Sequence, residues 1–97
     1  MIEKKGKNID LGDIVRYISN QTLVVDDGGE SYENKIPEEF VREILERFRV
    51  ALAEGIAQDG RVEIRRFAVF SFHENRLSVR FSKSFTKLLH EITPNYN

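Results

Sequence analysis

Seven cationic side chains, Arg61, Arg65, Arg66, Arg76, Arg80, Lys83 and Lys87, stand in residues 61–97 against three carboxylates, Glu63, Glu74 and Glu91. Guanidinium and ammonium groups gathered in this way suit contact with phosphate oxygens rather than bond-making. Residues 1–60 have the opposite balance, eight Lys and Arg against thirteen Asp and Glu, so the net charge of −1 conceals a division of sign along the chain. The plain alternative for each cation taken singly is a solvated surface charge, because Lys and Arg are exposed in most folded proteins.

Other chemistries find little material. There is no cysteine, and His73 and His90 are too far apart in sequence to read as a metal-ligand pair. Asp26, Asp27, Glu30 and Glu33 cluster around Gly28-Gly29, but their order does not match a calcium-binding loop. Glu38 and Glu39 are adjacent on a predicted helix, where neighbouring side chains diverge, and their place at its start accounts for both. No Ser-His-Asp or Cys-His set and no phosphate-binding glycine loop can be assembled, so neither an enzyme, a cofactor nor a metal is expected.

The elements that must hold the cations follow from periodicity. Residues 1–8 are charged and aperiodic and read as a loose N-terminal arm. From Ile9 to Ser19, Leu11, Ile14, Val15 and Ile18 recur at helical spacing, with Asp10 or Asn8 as N-cap. The segment Gln21 to Lys35 reads as a small hairpin or a loop around Asp-Asp-Gly-Gly. A second helix starts near Pro37 and carries Phe40, Ile44, Phe48, Leu52 and Ile56 at intervals of four, ending at Asp59-Gly60. Its apolar stripe is wide for a chain this short, which suggests a partner subunit, although the sheet of the same chain is the alternative cover.

After Gly60 the period becomes two. Val62 and Ile64 oppose Arg61, Glu63 and Arg65; after a bend at Arg66-Phe67, Ala68, Phe70 and Phe72 alternate with Val69 and Ser71. A tight turn at His73-Glu74-Asn75-Arg76 leads into Leu77, Val79 and Phe81, alternating with Ser78 and Arg80. The prediction is a three-stranded antiparallel sheet with an aromatic inner face and a cationic outer one. Ser82 then caps a last helix that presents Phe85, Leu88, Leu89 and Ile92 and stops before Pro94. The fold class expected is α+β in a single domain over residues 1–97: two N-terminal helices, an insertion at 21–35, the sheet and a C-terminal helix.

This order, with "ALAEGIAQDGRVEIRRFAVFSF" joining helix to sheet, resembles the HU and integration host factor family of bacterial DNA-bending proteins. Val62-Glu63-Ile64 corresponds to the family's first strand, and Arg66-Phe67-Ala68-Val69-Phe70 to its Gly-Phe-Gly-x-Phe bend, with both phenylalanines kept and both glycines replaced. "VRFSKSF" is similar to the family's junction between last strand and last helix, without its frequent proline. The resemblance covers residues 9–20 and 36–92. It implies an intertwined dimer, homotypic or with a related subunit, whose core and interface use Phe40, Ile44, Phe48, Leu52, Phe67, Phe70, Phe72 and Phe81.

Two departures qualify what the resemblance implies. The family joins its first two helices by a few residues, where this chain has about fifteen, Gln21 to Lys35. The family's second and third strands extend into a long basic arm whose tip proline wedges between base pairs. Here the tight turn replaces that arm, and no proline lies between Pro37 and Pro94. The resemblance, less its arm, therefore implies contact between the cationic sheet face and the phosphates of double-stranded DNA, weak and sequence-independent, without kinking. The competing expectation is an arm-less interaction module that holds a protein partner, with the acidic insertion as one docking element, in a phage particle or nucleoprotein assembly. No apolar run approaches the roughly 20 residues that span a bilayer, and the N-terminus lacks an apolar secretory segment, so a cytoplasmic, nucleoid or phage-associated protein is expected.

Overall fold

The computed structural model describes residues 2–21, 23–27 and 30–93, with only the backbone described for 23–27 and 30–34. In chain order the elements are α1 (Leu11–Asn20), β1 (Leu23–Asp27), β2 (Glu30–Asn34), α2 (Glu38–Asp59), β3 (Arg61–Ile64), β4 (Ala68–His73), β5 (Arg76–Phe81) and α3 (Lys83–Ile92). The class is α+β, with a three-stranded antiparallel sheet in the order β3-β4-β5. A second, two-stranded sheet stands between α1 and α2, so the first two helices are not simply joined by a turn. Two compact units can be distinguished, Met1–Phe48 and Arg49–Asn97.

In the first unit α1 begins with a reciprocal cap. The Asp10 carboxylate accepts from the Asp13 N–H at 2.9 Å, and the Asp13 carboxylate accepts from the Asp10 N–H at 3.0 Å, which satisfies donors that a helix start leaves open. Asp10, rather than Asn8, is the cap. Asp13 also accepts from the Lys5 N–H at 3.3 Å and pairs with Arg16. The N-terminal segment is thus held at Lys5, where the sequence suggested a loose arm. At the other end of α1 the Ser19 hydroxyl donates to the Ile36 carbonyl at 2.8 Å. Among the described residues of this unit, Val15 and Val41 are the buried apolar side chains.

The 21–35 insertion forms the hairpin rather than the loop: β1 and β2 pair antiparallel, with Val25 opposite Tyr32 and Asp27 opposite Glu30. The side chains of Asp26, Asp27, Glu30 and Glu33, weighed above for calcium, lie outside the described residues. Helix α2 starts one residue after Pro37, whose carbonyl accepts from the Phe40 and Val41 N–H groups at 3.1 Å each.

In the second unit α2 ends where Gly60, at φ 74°, donates to the Ile56 carbonyl at 2.7 Å. That left-handed conformation suits glycine at a helix end. Gly55 serves a different need, since a Cβ there would come within 2.9 Å of the Val62 methyl; its absence lets α2 lie close to β3. The strand registers align Val62 with Phe70 and Val79, and Ile64 with Ala68 and Phe81, on one face. Ala68 is buried, and the Phe67 ring packs against Phe70, Phe81 and Phe85 with centroids 6.2, 6.0 and 5.2 Å away. Phe85 brings α3 to this cluster, and Ser82 caps that helix by accepting from the Phe85 N–H at 3.0 Å.

The turn between β4 and β5 places Glu74 and Asn75 at φ 51° and 62°. Two consecutive left-handed residues between paired strands make a type I′ turn, whose twist matches that of the strands it joins. Among the described residues no helix is long and apolar enough to cross a membrane.

Candidate nucleic-acid interface

The seven cations do not form one surface. Arg61, Arg76 and Arg80 share the outer face of the sheet, as the register shows: Arg61 aligns with Ser71 and Ser78, Arg80 with Val69 and Glu63, and Arg76 with His73. Arg65 and Arg66 follow the end of β3 and occupy the turn into β4, so Arg65 is not a strand residue as its alternation suggested. Lys83 and Lys87 belong to α3. All seven side chains are exposed.

A shallow trough of about 280 Å³ is lined by the outer-face residues Arg61, Val69, Ser71, Ser78 and Arg80, together with Val79, a residue of the opposite face. Arg61 and Arg80 sit two strands apart and two residues out of line, which separates their Cα atoms by about 12 Å from strand spacing and rise. They can therefore meet different phosphates, while the hydroxyls of Ser71 and Ser78 between them can donate to phosphate oxygens. Ser71 and Ser78 were missed in the sequence. Counting inward from a two-residue turn would have paired them, because turn length fixes the register.

Glu63 is the carboxylate on this face, 3.7 Å from Arg61. Both side chains are well exposed, so water and salt screen the pair and leave Arg61 available to an anion. Arg66 does not pair with Glu63, and among the described residues no ion pair engages Arg66, Arg76, Arg80, Lys83 or Lys87. At the hairpin tip His73 lies 3.7 Å from Glu74, an exposed contact.

The side chains proposed for core or dimer divide in two. Leu52, Phe67 and Phe70 are half-buried within the chain. Phe40, Ile44 and Phe48 are 59, 57 and 46% exposed, and Phe72 and Phe81 are also exposed. Leu77, Val79, Leu88, Leu89 and Ile92 add to the apolar surface of the second unit. Scattered exposed apolar residues are ordinary, but runs at regular helical and strand spacing are the pattern of a face that another surface covers.

Among the described residues no group of three or more His, Asp or Glu side chains is placed to hold a metal ion. No protein-family model, curated protein or solved structure matches the chain.

Proposed function

We propose that the chain is an arm-less body of the HU and integration host factor type, a dimer that contacts double-stranded DNA through phosphates. The observation that carries this reading is the outer sheet face, where Arg61, Arg80, Ser71 and Ser78 line one trough with Glu63 as the opposing carboxylate. A duplex lying on such a face exchanges counterions for arginines, which gives weak, sequence-independent and salt-sensitive binding. The type I′ turn leaves no ribbon to reach around the duplex and no wedge to unstack it, so no sharp bend follows. Such a protein would act on a bacterial nucleoid or a phage genome.

The test is fluorescence anisotropy of a labelled duplex between about 20 mM and physiological salt, where the slope of log affinity on log salt counts phosphate contacts. Arg61→Glu with Arg80→Glu should abolish binding while leaving fold and association intact. Unchanged binding in that double variant would remove the sheet face from consideration.

Association is the second part of the proposal, supported by Phe40, Ile44 and Phe48 at successive four-residue intervals and by the exposed apolar side of β5 and α3. Sedimentation equilibrium should give a dimer, and Phe40→Glu with Phe48→Glu should shift it to monomer; a monomeric parent protein would overturn this part. These apolar faces, each in its own unit, and the β1–β2 hairpin favour a second reading, a dimeric module that holds another protein. Replacing residues 23–33 with a short Gly-Ser link separates the two readings, since it should leave duplex binding unchanged and remove such a partner.

A further inference from the structure

A second concavity in the C-terminal unit, of about 380 Å³, is lined by Arg66, Ser84, Lys87, Leu88 and Glu91. Arg66 and Lys87 reach it from different elements, the β3–β4 turn and the second turn of α3. Neither is engaged in an ion pair among the described residues, and Glu91 is the single carboxylate in the lining. Two cations, a hydroxyl and one carboxylate leave a net positive concavity.

The backbone of Arg66 adds to this. Its φ of 70° lies in the left-handed region, which is unfavourable for a side-chain-bearing residue other than Asn or Asp. The Phe67 N–H donates to the Ile64 carbonyl at 3.0 Å and the Phe67 carbonyl accepts from the Ser82 N–H at 2.8 Å, so the turn is fixed on its far side. An arginine held there by its neighbours has a predetermined point of departure for its guanidinium.

We propose that this concavity is a phosphate-binding site, in which the Arg66 guanidinium and Lys87 ammonium balance the charge and the Ser84 hydroxyl donates a hydrogen bond. Planar guanidinium donors and a compact ammonium are complementary ways to hold a tetrahedral oxyanion. The ligand is a phosphate group, either a backbone phosphodiester of a duplex or a free phosphate. The site is separate from the sheet trough in its lining residues and does not depend on the function proposed for it.

Inorganic phosphate titrated into the ¹⁵N-labelled full chain at constant ionic strength, with chloride as the reference anion, tests the site by NMR. Saturable shifts at Arg66, Ser84 and Lys87 are expected with phosphate and not with chloride. Arg66→Gly, a substitution the local φ accepts, and Lys87→Ala should each weaken phosphate binding about tenfold, the scale of one charge-assisted hydrogen bond. Shifts that match those of chloride, or variants that bind phosphate as the parent does, would overturn the proposal. A short duplex identifies the source: competition with phosphate at these resonances supports a backbone phosphodiester, and their silence towards the duplex, with phosphate still saturable, supports a free phosphate. Duplex binding through Arg61 and Arg80 with no saturable phosphate response at Arg66 would remove this site and leave the sheet interface standing. Saturable phosphate with no duplex binding would do the reverse.

Discussion

The two units use charge in different ways. In the N-terminal one a buried carboxylate, Asp13, is drawn into the structure by the Asp10 and Lys5 N–H groups and by Arg16. In the C-terminal one the packing is aromatic, around Phe67, and the arginines of the sheet stand outside it. A charge with its hydrogen bonds satisfied inside a fold serves that fold, because leaving it unpaired there is costly. A charge with no internal partner is free to meet a ligand. Residue counts alone would treat Asp13 and Arg80 as equivalent surface charges, and the structure separates them.

The largest effect that sharpens this contrast should come from Phe67→Ala. Loss of the ring that meets Phe70, Phe81 and Phe85 should lower stability by about 3 kcal/mol in urea unfolding, and a change within experimental error would mean the aromatic cluster does not organise the C-terminal unit.

Asp13→Ala should have a smaller effect, felt in the N-terminal unit and dependent on pH. The Asp10 N–H lowers the Asp13 pKa below its ordinary 3.8, burial opposes this, and the Lys5 N–H and Arg16 lower it further. A carboxyl whose folded pKa is depressed stabilises the fold in full above its unfolded value, and that contribution disappears as the pH falls through the folded pKa. The parent and Asp13→Ala should therefore differ in urea midpoint at neutral pH, and the difference should begin to shrink only as the pH falls below about 3.8. A difference that persists unchanged into acid would show that the carboxylate charge is not what holds α1 and Lys5 together.

The smallest effect belongs to Arg66→Gly, which relieves the left-handed backbone and should raise stability by about 1 kcal/mol, even as it removes a cation from the α3 concavity. A destabilised variant would indicate that the Arg66 side chain contributes packing rather than an exposed charge.

Much of the C-terminal unit was legible because its period-two pattern, its tight turn and its serine cap each have a local cause. Val62, Phe70 and Val79 share a face through alternation alone, and Ser82 caps α3 through a hydroxyl three residues before Phe85. The N-terminal segment was less legible, because Lys5 meets Asp13 across eight positions and no local propensity reports such a contact. The hairpin and loop alternatives for 21–35 were equally consistent with Asp-Asp-Gly-Gly, which permits either. At the candidate interface the sequence named the cations but not their grouping. Arg65 reads by alternation as a continuation of β3, and only the turn that ends that strand at Ile64 takes it out of the strand that carries Arg61.

The type I′ turn has a consequence for engineering the chain. Because His73 and Arg76 are already a cross-strand pair, equal numbers of residues added to the ends of β4 and β5 would lengthen the ribbon without altering any pairing beneath it. The tip of this hairpin is thus a modular socket: an arm of chosen length, charge and wedge residue can be grafted there while the three-stranded base keeps its register.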